Sequence, residues 1–236
     1  MTSPPLRLRV IGLGRAGSSL ARALAAAGWE VAEPVRRGDV VRGAAEGIDL
    51  LVVATPDAAV AEIAAAVAPV AGTVIAHLAG SLGLEVLAPH PRRAAVHPLR
   101  SIPRPDTDLT GAWFAVGGDA LARRVVEDLG GHPVVVADED RAAYHAAACI
   151  ASNHVVALLG QVERVAATAG VPLHAYADLV RQTVDNVAAL GPAAALTGPV
   201  RRGDEATVAR HLAALDPSER PAYTALADAA RRLVSA

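Results

Sequence analysis

Apolar and polar positions in the first part of the chain form two kinds of run that alternate. "LRLRVIGLG" is a short apolar stretch ending in glycines, which predicts a buried strand feeding a tight turn. "AGSSLARALAAAGWE" follows with helical spacing, Leu20 and Leu24 four apart, and stops at Gly28. "EVAEPV" predicts a second strand with Pro34 near its end, since proline cannot donate within a ladder. "DLLVVATPD" is the strongest strand signal. Its apolar run does not alternate, as expected when both faces of a parallel sheet are covered. "AAVAEIAAAVAPV" returns to helix and "GTVIAHLAG" to strand; "AAVHPL" and "WFAVGG" are short strands. "ALARRVVEDLGG" is a further helix before the strand "HPVVVA".

The alternation then stops. From Arg141 onward only helical segments occur, punctuated by "AGVP", "LGP", "LTGP" and "LDPSERP". The pattern predicts an α/β fold, a doubly wound Rossmann-like parallel sheet over residues 1–138, followed by an all-helical C-terminal domain over 139–236. "YHAAACIASNHVVAL" opens the helical part. Its alanines, Ile150, valines and Cys149 are expected in the core, with His145 and Asn153 as the side chains that could face a cleft.

Composition narrows the class. The 236 residues suffice for one large or two modest domains, each with its own core. With 53% hydrophobic and 19% charged residues and a formal net charge of -2, the profile is globular rather than disordered. It also lacks the basic excess of a nucleic-acid binder. The single cysteine, Cys149, cannot form an internal disulfide, which suits a reducing, cytoplasmic setting. "MTSPPLRLRV" lacks the apolar core of a signal peptide, and no stretch reaches the roughly 18 unbroken apolar residues of a membrane helix. A cytoplasmic protein with no membrane partner is expected. All 22 basic residues are arginine, so no lysine can serve as proton donor or Schiff-base former.

"GLGRAG" places Gly12, Gly14 and Gly17 in the G-x-G-x-x-G spacing between a strand and a helix, with Leu13, Arg15 and Ala16 between them. Gly12 would allow the tight turn, Gly14 the approach of a pyrophosphate, and Gly17 close helix–strand packing, with phosphates at the helix N-terminus. About 20 residues later Arg36 and Arg37 follow the second strand, where a basic group accommodates the 2′-phosphate of NADP. Glu33, the competing acid that would favour NAD, falls inside the strand; a solvated arginine pair is the other reading. Thr55 and Pro56 close the strongest strand and are expected beside the nicotinamide half, with Asp57 capping the next helix.

Without lysine, histidine is the natural proton donor, because its pKa lies near neutrality. His97 in "VHPLRSI" ends a predicted strand, with Arg100 close by, and His145 begins the helical part. Tyr144 could donate too, but adjacent helical residues point about 100° apart and are not expected to converge. The remaining histidines are too dispersed for a zinc motif, so no metal site is expected. Thr183 and Asn186 share a helix face, and "LTGPVRRGD" presents Thr197 and Arg201 in a polar turn before Asp204, a candidate N-cap.

"GLGRAGSSLARAL", "VVATPD", "HLAGSLGLEVLAP", "VHPLRSI", "GAWFAVGGD", "YHAAACIASNHVVALL" and "ALGPAAALTGPVRRGD" together resemble a group of bacterial proteins that join a Rossmann-like domain to a helical domain of formerly unassigned function. In architecture the group is similar to ketopantoate reductases, pyrroline-5-carboxylate reductases and deazaflavin-dependent NADP reductases. The resemblance implies NADPH-dependent reduction of a small carboxylate-bearing carbonyl compound, with 2-dehydropantoate (ketopantoate) as the nearest concrete substrate. It implies NADP(H) as cofactor and a homodimer formed through the helical domain. Asn153, Asn186, Thr197 and Arg201 become the candidate substrate binders. One departure stands out: familiar ketopantoate reductases use an active-site lysine, which this chain lacks. Two alternatives therefore remain, a cyclic imine reductase of the pyrroline-5-carboxylate type and a non-catalytic NADP(H) sensor.

Overall fold

The computed structural model describes residues 4–235. The first compact unit runs to Ser152 and the second begins at Asn153. The first unit contains β1 (Arg7–Ile11), α1 (Arg15–Ala26), β2 (Glu30–Val31), β3 (Leu50–Val53), α2 (Asp57–Ala66) and β4 (Val74–His77). It continues through β5 (Arg93–Pro98), β6 (Trp113–Gly118), α3 (Leu121–Asp128), β7 (His132–Val135) and α4 (Arg141–Cys149). The strands form one seven-stranded sheet of order β2-β1-β3-β4-β5-β6-β7.

All neighbouring strands are parallel except β5 and β6, which pair antiparallel with His97 opposite Ala115. A parallel return would need a crossover element, and residues 99–112 contain no helix or strand. The expected parallel sheet is thus mostly parallel, with one reversal. From β1 the chain moves outward to β2, then returns past β1 to β3. This creates a topological switch point between the carboxyl ends of β1 and β3.

The unalternating β3 run has a direct cause. Leu50 and Val52 join one buried cluster with Leu20 and Leu24 of α1 and Val125 of α3. Leu51 and Val53 join the opposite cluster with Val60 and Ala64 of α2. β2 is shorter than "EVAEPV" suggested. Ala32 N–H still donates to Leu8 and Val35 N–H to Val10, but Pro34 has no N–H, and the ladder narrows to a single bridge between Ile11 and Val35.

Helix α4 clusters with the sheet, beyond the 138/139 point where the alternating pattern ends. Its first residue, Arg141, is completely buried, and a side chain at Gly117 of β6 would stand 2.8 Å from the guanidinium. A π-helical turn (Ile150–His154) follows, and the second unit continues as α5 (Val155–Thr168), α6 (Ala177–Leu190), α7 (Pro192–Ala195), α8 (Gly198–Arg201), α9 (Glu205–Ala214) and α10 (Arg220–Ser235). Asp204 caps α9 by accepting from Thr207 N–H at 3.0 Å.

The opening helix does not form a core. Ile150, Val155 and Val156 are exposed and Cys149 is only partly buried, because the few residues buried in the second unit lie elsewhere. Those described are Ala166, Val208 and Ala227. The helical run Asp138–Thr168 is long and apolar enough, by length and composition alone, to cross a membrane, and its most apolar 18-residue window has no buried residue.

Leu51 is fully buried on the sheet face that α2 covers. Leu51→Ala is expected to cost about 2–5 kcal/mol of stability, read from chemical denaturation. A loss below about 1 kcal/mol would show that this face is not close-packed.

Candidate active site

Two groups of residues lie at the carboxyl ends of the parallel strands. The first is the glycine turn between β1 and α1. Gly12 has φ +94, a conformation L side chains rarely adopt, and a Cβ there would meet Ala54 O at 2.9 Å. A Cβ at Gly17 would collide with Gly12 O and lie 2.9 Å from Ala54 Cβ. At Gly14, by contrast, nothing lies within 4 Å of an added Cβ. Gly14 is also the N-cap of α1 and offers no side chain to the first-turn N–H groups. The turn is therefore tight against β3 on one side and open on the other, where Arg15, Ala16 and Gly17 begin the helix. Such a cradle suits a pyrophosphate.

Thr55 stands directly beyond β3, with its Cγ2 3.3 Å from the Cβ position of Gly12, and its hydroxyl is buried without a protein partner. A buried hydroxyl at the switch point fits a ligand that supplies the missing hydrogen bond. Pro56 is the N-cap of α2, so Asp57 lies inside the first turn and caps nothing with its side chain; its charge faces the helix dipole instead. Arg36 and Arg37 follow the Ile11–Val35 bridge directly and are exposed. Arg36 N–H donates to Asp39 Oδ2 at 2.7 Å, so a tight turn presents both arginines beside the end of β1. Glu33, also exposed, precedes the bridge.

The second group surrounds His97 at the end of β5. His97 Nδ1 and the Tyr144 hydroxyl share a hydrogen bond of 2.8 Å. The His97 ring meets both Tyr144 and His145 edge-on, with centroids 5.6 and 5.7 Å apart. The expectation that neighbours on one helix would not converge is therefore corrected. Both side chains reach the one His97 ring. Gly80, in the loop after β4, makes room: a Cβ there would lie 3.0 Å from His97 Nε2 and would collide with the His145 ring. His145 Nε2 is in turn 4.0 Å from Cys149 Sγ, one helical turn on, so the thiol is not the isolated core group expected from its alanine neighbours.

The electrostatics keep His97 neutral. Burial, reinforced by His145, Arg141 and His77, holds His97 down at about 4. Burial and then Arg141 also lower His77, which is fully buried with Nε2 3.3 Å from Gly83 O and Nδ1 unpaired. Burial raises the Tyr144 phenol, while Arg141 opposes that rise. Arg141 was missed in the sequence because "DEDRAAYH" reads as a solvated charge run. In the fold its Nε contacts Asp138 Oδ1 at 3.2 Å, Asp138 Oδ2 accepts from Leu84 N–H, and both Nη atoms are buried without a partner.

The other expected residues lie in the second unit. Asn153 is exposed in the π-helical turn, Asn186 is exposed on α6, and Thr197 and Arg201 are exposed at the two ends of α8. Thr183 uses its hydroxyl to donate to Leu179 O. His90 is buried against Ala64 O, His132 stacks on Trp113, and His211 bonds the Tyr223 hydroxyl, so each has a structural contact. Among the described residues no group of three His, Cys, Asp or Glu side chains could hold a metal ion.

A glycine cradle at the switch point of a mostly parallel sheet defines a protein of the Rossmann type. Residues 35–103 match the family model of a Rossmann-like domain, and residues 115–230 match a domain of unknown function, DUF2520. The DUF2520 match begins within β6, well before the helical unit. No curated protein matches the sequence. Among solved structures, a Bacteroides fragilis protein provisionally assigned as an NADP oxidoreductase superposes with a TM-score of 0.80 at 21% identity, over 97% of this chain and 99% of that one. A reductive aminase from Aspergillus terreus, in complex with NADPH and ethyl-5-oxohexanoate, gives 0.73 at 17% identity, over 97% and 94%. A pyrroline carboxylate reductase from Plasmodium falciparum with NADP bound gives 0.62 at 12% identity, over 99% and 100%. At these identities the likeness establishes the shared fold.

The pKa of His97 has a consequence for stability. The unfolded chain protonates it near 6.5 and the folded chain only at about 4, so between these values the unfolded state binds more protons. The contribution of His97 to stability is complete above the unfolded pKa and is lost as pH falls toward the folded one. Chemical denaturation between about pH 7.5 and about pH 4.5 should show stability falling with pH, and His97→Gln should flatten that slope. Equal slopes in the two proteins would refute the shift.

Proposed function

We propose that the protein is an NADPH-dependent reductase of a small carbonyl or imine compound. The observation that carries this reading is the glycine cradle, open at Gly14 and flanked by the unpaired Thr55 hydroxyl at the β1/β3 switch point. Gly12, Leu13, Gly14, Arg15, Ala16 and Gly17 hold the pyrophosphate, and Arg36 and Arg37 take the 2′-phosphate. Thr55 and Pro56 flank the nicotinamide half. Bound NADPH supplies the hydride. The His97–Tyr144–His145 cluster faces the reacting group. Asn153, Asn186, Thr197 and Arg201 are assigned to the substrate, with Arg201 pairing its carboxylate.

A 2-keto acid of the 2-dehydropantoate type is the first substrate to test. Imine reduction is the second reading, and a specific observation favours it. The cluster has no lysine, and His97 is neutral at physiological pH. A protonated cyclic imine brings its own proton and needs no strong acid.

Fluorescence titration should show saturable NADPH binding. The double variant Arg36→Ala/Arg37→Ala should bind NADPH about tenfold or more weakly, with NADH little changed, since it loses charge-assisted bonds to one phosphate. An equal loss for both nucleotides would remove the 2′-phosphate assignment, and no binding by the unaltered protein would end the reductase reading. Turnover of keto acids against cyclic imines separates the two substrates. Binding without turnover of either would favour a sensor.

The helical unit is assigned to homodimerisation in a soluble, cytoplasmic protein. Leu179, Val184 and Leu190 of α6 and Val156 and Leu158 of α5 are exposed apolar side chains. A second copy would cover them. Light scattering should give twice the chain mass, and Val184→Asp/Leu190→Asp should give the single mass with the sheet unit still folded. A monomeric unaltered protein would overturn the assignment.

A further inference from the structure

We infer that Tyr144, backed by His97, is the proton donor of this site. The inference rests on the reductase reading and names the group that reading leaves open. Tyr144 carries the hydroxyl that hydrogen-bonds His97, and its phenol, raised further by burial, holds a proton at neutral pH. His97 is neutral and too weak an acid to replace it, and His145 faces Cys149.

The geometry also provides for the anion left behind. A tyrosinate needs an adjacent donor and an adjacent positive charge. His97 Nδ1 lies 2.8 Å from the phenol oxygen. Arg141 lies three residues before Tyr144, on the same face of α4, and its two Nη groups are fully buried without a partner. Because the guanidinium is fully buried, its charge acts on the phenol through a lower dielectric than bulk water. Gly80 lets the ring of His97 stand where it can reach Tyr144.

The substrate carbon accepts the hydride of a reduced nicotinamide, and the π pair moves to the carbonyl oxygen or, for an imine that arrives unprotonated, to the imine nitrogen. That atom takes the Tyr144 phenol proton. The tyrosinate, held by the Nδ1–H of His97, recovers its proton from solvent once the product leaves, so the net reaction consumes one solvent proton and His97 keeps its own on Nδ1. The arrangement requires neutral His97 to carry its proton on Nδ1. If the proton were on Nε2, the phenol would be donating to Nδ1 and would be unavailable to a substrate.

Nitrogen-15 NMR of the histidine-labelled full-length protein at neutral pH reads this directly, with His97→Gln to assign the signal. A protonated Nδ1 and a bare Nε2 are expected. The opposite tautomer overturns the proposal whatever the protein reduces. In turnover, Tyr144→Phe should lower kcat by about 100-fold or more, with the Kd for NADPH unchanged. A kcat within about threefold of the unaltered protein would equally overturn it. Failure of the unaltered protein to bind NADPH would instead end the reductase reading, and the tautomer would still decide where the Tyr144 proton points. If NADPH binds but no compound is reduced, the tautomer alone decides.

Discussion

The close approach of α1 to β1 and β3 constrains everything at the carboxyl edge of the sheet. Gly12 and Gly17 pack with no room for a side chain against each other and against Ala54, so the helix begins directly at the strand ends. One atom more at either position would lift α1 away and misalign its N-terminal N–H groups. Because the same contact includes Ala54, it also positions Thr55, whose buried hydroxyl then faces the switch point. The cradle is thus a product of backbone packing, and its openness at Gly14 is the complement of its tightness at Gly12 and Gly17.

Farther along the edge a different principle operates. His97 is held neutral by burial, with the neighbouring His145 and the buried Arg141 cation reinforcing it. Arg141 is kept in place by Asp138, which also ties down Leu84, so the start of α4 is anchored to the sheet unit. That anchoring explains why α4 clusters with the strands and why the division between units falls in the π-helical turn that follows it. A site that lacks lysine can still place a weak acid beside a fixed positive charge, and a buried arginine is suited to that task because it does not lose its proton.

The two units divide the hydrophobic burden unequally. The sheet unit buries two continuous clusters, one on each face. The helical unit buries little and leaves apolar residues of α5 and α6 exposed. That exposed apolar surface is the physical basis for proposing that a second copy covers it.

Much of this was legible in the residues themselves. The unbroken apolar run of β3, the glycine spacing and the loss of alternation after "VVVADED" encode local periods and backbone permissions, and such signals do not depend on partners distant in the chain. The position of Arg36 and Arg37 after the second strand was legible for the same reason. Properties that depend on distant neighbours were not. The reversal at β6 follows from a loop with no crossover element. The convergence of Tyr144 and His145 depends on the ring of His97, 47 residues away in the chain in the case of Tyr144. The burial of Arg141 needs the bare backbone of Gly117, and the exposure of "CIASNHVVAL" depends on where its helix finds neighbours. Local pattern therefore determined the elements and the cradle, while the depressed pKa of His97 and its hydrogen bond to Tyr144 exist only once the strands and α4 have come together. Burial and Coulomb interactions are properties of position in space, and a run of letters carries them only through the fold it adopts.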